Sequence, residues 1–530
     1  MRRRKKIEKS GRGITLASKW RKGFFPILFS RLGLVLIMLL IQLLMLILIW
    51  MFFGRILGRY FIGGQTLFEL AVLIFLFNSP MDSSAKLSWT LLIAVMPLFG
   101  TLFYIWTNVE MGHRSIKQKL NVIAEDSKQY MIQSESAVKK LKSLNRESSA
   151  LAKYLFDYGN APVYDNVRME YYPFGEDKFP RMLEELEKAK KFIFLEFFII
   201  EEGYLWGRVL EILSRKVQEG VEVRVMYDGT CEFANLPPDY PRRLRKIGIQ
   251  CKIWERIKPV VTSAYNYRDH RKVMIIDGKI AFCGGDNLAD EYINRVERFG
   301  HWKDASVMLR GAAVDSFTLM YLEMWNVTSK NKDDFGKYLN KYEKGLTAEG
   351  CVIPYGESPL NNHKIAERVY MDMLYTAKDY VYVMTPYLIL DDELTAALRY
   401  AAERGVDVRL ILPGIPDKMP VWALAKKHYR SLLDAGVKIY EYTPGFVHAK
   451  VVISDNIKAV VGTINFDYRS LYHHFECAAY MVGIPCIKDI REDFTETLSK
   501  CRTITYESLK HEKLYLKAVG SVLKLIAPLL

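Results

Sequence analysis

No CxxC pair occurs in this chain, and its seven cysteines (Cys231, Cys251, Cys283, Cys351, Cys477, Cys486, Cys501) are odd in number, scattered and without zinc-ligand spacing. That argues against a disulfide framework or a zinc ribbon; the pattern reads as reduced, mostly buried small hydrophobes suited to a reducing compartment. A glycine-rich loop ending in Lys-Ser/Thr, which would cradle nucleotide phosphates, is missing, as is a carboxylate/His metal cluster. Lysines and arginines are not clustered with aromatics around any motif, which argues against nucleic acid as partner. What remains is chemistry expected to run on side chains alone, with no cofactor and no metal.

The chain has 530 residues, enough for roughly three or four domain-sized units. Its net charge is +15, but residues 1 to 22 hold ten Lys/Arg against Glu8 alone, so the other 508 residues are only mildly basic, as would suit anionic lipid. Residues 33–53, "GLVLIMLLIQLLMLILIWMFF", are interrupted only by Gln42 and are long enough to cross a hydrocarbon layer of about 30 Å. Two further apolar runs, about 62–78 and 88–106, predict a membrane hairpin around "NSPMDSSAK". Arg114, Lys117 and Lys119 after the last run favour a cytoplasmic body by the positive-inside rule, while the basic leader (1–32) also favours the cytoplasm. Three full crossings cannot satisfy both.

A polar helical segment, 108–155, reads as a stalk. Beyond it, apolar strand runs alternate with helical patterns, the signature of an α/β architecture. "KFIFLEFFII", a helix, "GVEVRVMYDG" and a second helix lead to "HRKVMIIDGKIAFCGGDN"; "DYVYVMTPYLIL", a helix, "GVDVRLILPG" and a second helix lead to "HAKVVISDNIKAVVGTIN". The duplication predicts two halves, 156–345 and 346–512, packed about a pseudo-twofold axis, with an amphipathic, interfacial C-terminal helix at 513–530.

The two motifs carry His, Lys, Asp, Gly and Asn at shared offsets of 0, 2, 7, 14 and 17: His270, Lys272, Asp277, Gly284 and Asn287, then His448, Lys450, Asp455, Gly462 and Asn465. One such match is a weak signal; two at five common offsets are not. On a strand His and Lys two apart share a face, so each half offers one imidazole, a nucleophile or proton carrier near neutrality, and one ammonium that binds phosphate. Asn287 and Asn465 can donate to an oxyanion. Asp277 and Asp455 fit either a catalytic role or the closing of a turn ("DGK", "SDN"). Glu196 and Asp228 are polar in apolar surroundings and fit support of the site or a satisfied core role; His473 and His474, beside Glu476, fit packing better than the cleft.

These motifs, with "FLEFFI", "VMTPYLI", "FGHWKDASVMLRG", "NFDYRSLYHHFE" and "SSAKLSWTLLIAVMPLFGTLFYIW", resemble the two HKD motifs of the phospholipase D superfamily and, more narrowly, the bacterial cardiolipin synthases, over about residue 62 to the end. The resemblance implies two phospholipase D-like α/β domains, with mixed sheets flanked by helices, preceded by N-terminal transmembrane helices in a bacterial cell membrane. The additional first apolar run departs from that family's two-span pattern. The resemblance also implies His270 as nucleophile, His448 as general acid and then base, Lys272, Lys450, Asn287 and Asn465 as phosphate holders, and a downstream carboxylate that orients each motif's own histidine: Asp304, with Asp290 or Glu291 as alternatives, for His270, and Glu476 for His448. The implied reaction joins two phosphatidylglycerol molecules into cardiolipin and glycerol. A membrane-tethered hydrolase keeps the same chemistry; a nuclease or a silent scaffold fits less well.

Overall fold

A computed structural model describes residues 13–17, 54–108, 111–256, 267–329, 331–343, 345–361 and 363–529, with isolated helical positions between 40 and 51. Most of the apolar stretch 33–53 and of the basic leader lie outside the described residues.

The β-branched and aromatic runs form strands in both halves. In chain order the first half has β1 (Val167–Tyr172), β2 (Phe192–Phe197), β3 (Glu222–Asp228), β4 (Gln250–Trp254), β5 (Arg268–Asp269), β6 (Lys272–Ile276), β7 (Ile280–Gly284), β8 (His301–Lys303) and β9 (Ser306–Gly311). The second has β10 (Cys351–Glu357), β11 (Tyr380–Met384), β12 (Leu388–Ile389), β13 (Asp407–Pro413), β14 (Lys438–Tyr442), β15 (Gly445–Val447), β16 (Val451–Ser454), β17 (Lys458–Gly462), β18 (Phe466–Asp467), β19 (His474–Val482) and β20 (Cys501–Thr503). The first sheet runs β1-β9-β7-β6-β2-β3-β4, and the second repeats that order as β10-β19-β17-β16-β11-β13-β14, with β20 added at its edge. In both, β2-β3-β4 or β11-β13-β14 are parallel and the rest antiparallel. Parallel strands covered on both faces need no polar side, which is why "FIFLEF" of β2 is buried along its whole length.

Helices such as Tyr204–Gln218 and Asp392–Glu403 bury one apolar stripe against the outer faces. The inner faces share a core in which Val273, Cys283 and Val307 of the first sheet join Val451, Val461 and Cys477 of the second around the helix Val314–Val327. At this seam the Cys283 and Cys477 sulfurs lie 3.7 Å apart.

The segment expected to be a stalk packs instead on the body. Its helices Glu135–Leu144 and Arg146–Gly159 bury Leu141 and Leu155 completely in the core of the second half, and Ser148 hydrogen-bonds Tyr480 at 2.8 Å. Polarity of this amphipathic stretch faces water on one side only, which composition averaged over the segment conceals.

The run 88–106 does not form one continuous span. Pro97 supplies no amide proton and forces Met96 out of helical geometry (φ −136°, ψ 73°), so the helices Ser83–Val95 and Pro97–Asn108 fold back on each other. Trp89 meets Phe103 and Tyr104 at ring distances of 5.6 and 5.3 Å, and Gly100 permits the approach, since a Cβ there would sit 2.7 Å from the Leu92 carbonyl oxygen. The run 62–78 forms the second part of the helix Gly54–Asn78. Among the described residues no helix is long and apolar enough to cross a membrane.

Candidate active site

Each motif strand starts where its half touches the other. β5 pairs in parallel with the start of β19, placing Arg268 and Asp269 opposite His474 and Phe475, and the next residue, His270, donates its backbone N–H to the Phe475 carbonyl at 2.9 Å. Correspondingly β15 pairs in parallel with β8, and the His448 backbone N–H bonds the Lys303 carbonyl at 2.6 Å. The two ribbons advance in step, so His270 comes level with Glu476 and His448 with Asp304. Glu476 lies 2.8 Å from Nδ1 of His270, and Asp304 lies 2.7 Å from Nδ1 of His448. The carboxylates are thus exchanged between halves: each histidine is served by the acid that follows the other motif, not the one downstream of its own. A carboxylate on Nδ1 fixes the Nδ1–H tautomer and leaves Nε2 with its lone pair.

Each acid has its own clamp. Asp304 also accepts from the Ala305 backbone N–H at 2.9 Å, and Gly285 leaves it room, because a Cβ there would sit 2.0 Å from Oδ1. In the second half Thr463 replaces that glycine, and its hydroxyl donates to Oε2 of Glu476 at 2.5 Å. In the sequence Thr463 reads, with Gly462, as a position for close backbone approach; aligned with Gly285, it gives no sign of the hydroxyl's bond to Glu476.

Both histidines are buried, with aromatic walls: Phe198 stands 4.8 Å from the His270 ring, and Trp302 and Tyr292 stand 5.3 and 5.5 Å from His448. Burial, reinforced by the Lys272 and Lys450 ammoniums, holds His270 well below the usual imidazole range. Burial and Lys450 push His448 down to about 4, against the pull of Asp304. Both rings are therefore neutral at pH 7. Although burial alone would raise it, Asp304 is held at about 2 by His448 and Lys450. Burial lowers Lys272 to about 8 and Lys450 to about 7, so an anion in the site would raise both and complete their protonation. Each ammonium is anchored on the backbone carbonyl of its own motif histidine.

Asn287 is half committed: its Oδ1 accepts from the Ile199 N–H and one N–H donates to Tyr292. Asn465 is buried with its side-chain carbonyl oxygen lacking a hydrogen-bond partner. Asp277 and Asp455 do not join the histidines. Asp277 has φ +55° and accepts the backbone N–H groups of Lys190, Lys191 and Phe192; Asp455 has φ +53° and does the same for Lys378, Asp379 and Tyr380. Their carboxylates are spent tying the motif turn to the start of the central strand, β2 or β11, which corrects the catalytic alternative. Asp228 accepts from the Asp269 N–H at 3.0 Å and so steadies the approach to His270, whereas Glu196 lies 3.8 Å from Arg271 with its acid raised by burial and by Asp269. His474 is buried beside Glu476, and His473 is half-buried.

A doubled α/β sheet with two histidines and two lysines at the seam defines a phospholipase D-like protein. A family model described as the cardiolipin synthase, PLD-like domain matches residues 370–498. The cardiolipin synthase 2 of Bacillus anthracis is 31% identical over 87% of this chain and 90% of its own length, and the cardiolipin synthase of Alkalihalophilus pseudofirmus is 30% identical over 88% and 93%. An uncharacterized protein of Streptococcus mutans is 54% identical over 86% of this chain and 99% of its own. This chain belongs to the cardiolipin synthase family. In fold it is similar to the crystal structure of a phosphatidylserine synthase from Haemophilus influenzae, with a TM-score of 0.55 and 14% identity over 73% of this chain and 98% of that one.

Proposed function

We propose that the chain is a phosphatidyltransferase that makes cardiolipin and glycerol from two phosphatidylglycerol molecules through a phosphohistidine on His270. The crossed pairing of His270 with Glu476 and His448 with Asp304 carries this reading, because it leaves two Nε2 atoms free to work on one phosphodiester. Nε2 of His270 attacks phosphorus while His448, protonated once the anion has entered, gives its proton to the departing glycerol oxygen. The hydroxyl of a second phosphatidylglycerol then loses its proton to His448 and displaces His270 from phosphorus. One phosphodiester replaces another, so the sequence of steps balances without an outside energy source. Lys272, Lys450, Asn287 and Asn465 hold the non-bridging oxygens.

The same reading places the body against a bacterial cell membrane. Leu67, Ile74 and Phe75 of the N-terminal helices and Leu514 and Val522 of the C-terminal helix Leu514–Ile526 expose large apolar surface. Glu202 accepts the backbone N–H groups of Leu16 and Ala17, and Arg243 donates to the Leu16 carbonyl. These contacts of the leader with the body support a reading in which the two lie on the same side of the membrane.

The test is mass spectrometry of products from detergent-solubilised protein given phosphatidylglycerol alone, with chelator and without nucleotide. Cardiolipin plus glycerol is the expected result. Phosphatidic acid as the main product would make the enzyme a hydrolase, with water resolving the same intermediate.

A further inference from the structure

One buried imidazole near the reacting atoms has no part in that scheme. His474 is the first residue of β19 and Glu476 lies two residues on, so both side chains leave the strand on one face. Nδ1 of His474 is fully buried without a hydrogen-bond partner, 3.6 Å from Oε1 of Glu476. The same Oε1 is 2.8 Å from Nδ1 of His270, and the His270 and His474 rings are 5.3 Å apart. Ligand atoms from all three residues lie within 4.8 Å of one another. A tetrahedral zinc ion, with bonds of about 2.0–2.1 Å, holds its ligands roughly 3.4 Å apart, so a small rotation of the rings would close the set.

We propose that His270, His474 and Glu476 form a binding site for a transition-metal ion of the zinc class, and that the ion switches the enzyme off. Two imidazoles and one carboxylate match the donors zinc takes in three-ligand sites. They do not suit magnesium or calcium, which take oxygen ligands and would gain nothing to offset the repulsion of Lys272 and Lys450. The inhibitory consequence follows from which nitrogen is used. Glu476 and His474 flank Nδ1 of His270, so the metal bond forms there and replaces the Nδ1–H bond. The displaced proton moves to Nε2, whose lone pair then holds hydrogen instead of attacking phosphorus. No net proton is gained or lost by the ring, and the metal bond to Glu476 takes over from the hydrogen bond that kept the productive tautomer.

The metal site stands on geometry alone; its effect on turnover rests on His270 being the nucleophile. Zinc affinity of the purified full-length protein, measured by competition with a chromophoric chelator, is therefore read alongside turnover of phosphatidylglycerol at fixed free zinc. Wild type should bind one zinc ion per chain at this site. His474→Asn and His474→Gln should each weaken that binding and raise the zinc needed for half-inhibition by about tenfold or more, the least that even an outer partner of a metal ligand is worth. Metal-free turnover should be retained, the variant His473→Asn should behave as wild type, and magnesium should not displace zinc. Equal zinc affinity in wild type and both His474 variants, or no stoichiometric binding to wild type, overturns the proposal. A protein that binds zinc as described yet leaves phosphatidylglycerol unchanged would keep the site and refute the catalytic reading instead.

Discussion

Glu476 reaches 2.8 Å from Nδ1 of His270 although 206 residues separate them, and it belongs to the other half of the molecule. Glu476→Gln should leave the ring in place but lose control of its tautomer, lowering kcat on the order of 10⁴-fold with little change in KM. The downfield imidazole N–H resonance of His270 should move in this variant and stay put in Asp304→Asn, which should instead move that of His448. The reverse pattern would restore the uncrossed pairing.

Lys450→Met removes a buried cation without adding volume, and kcat/KM should fall about 10²–10³-fold. Lys450→Arg should not restore it. The side chain is 2% exposed, leaving no room for the larger planar guanidinium. Kinetics with the arginine variant near wild type would show that charge alone suffices.

Asp277→Ala should act on stability and not on chemistry. It strands three backbone N–H groups and puts alanine at φ +55°, for a loss of about 2–4 kcal/mol in denaturant titration. Turnover per folded molecule should stay within about twofold of wild type. A large fall in kcat with unchanged stability would return Asp277 to the reacting group.

Glu357 lies across the sheet from Glu476, and burial pushes its carboxyl up to about 8. The unfolded chain releases that proton near pH 4.5 while the native protein keeps it, so this group costs stability as pH rises from about 4.5 to 8. Glu357→Gln removes the proton linkage. Its stability relative to wild type should therefore climb across that window by about 3–5 kcal/mol, read from unfolding midpoints at a series of pH values. A pH-independent difference would show that the acid titrates normally.

Leu514 is 82% exposed and Val522 61% on the C-terminal helix. The double variant Leu514→Glu/Val522→Glu should lower flotation with phosphatidylglycerol vesicles while leaving the fold's unfolding temperature within a few degrees, since neither side chain packs on the body. Unchanged flotation would assign lipid contact to the N-terminal helices alone.

The doubled architecture was legible because its signal is local: β-branched runs, the turn glycines and five offsets recur in one order. Both orienting carboxylates could be picked out by resemblance, but their exchange could not, because it depends on β5 joining β19 and β15 joining β8, pairings of two or three residues that leave no periodicity. Thr463 is legible as part of the motif, but its hydroxyl's bond to Glu476 is not, since it stands where the first motif has Gly285. The reading of 88–106 as one span failed at Pro97, whose effect on Met96 outweighs the hydropathy of its neighbours.

The crossed ribbons also set when the site can exist. A ribosome adding about 5–20 residues per second has made His270 roughly 10–40 s before it reaches Glu476, 206 residues on, and finishes the rest of the first sheet within that interval. Until then the first motif's histidine lacks the carboxylate that fixes its tautomer in the folded protein. Control of the His270 tautomer therefore waits until Glu476 has been made and the second sheet has closed over the first.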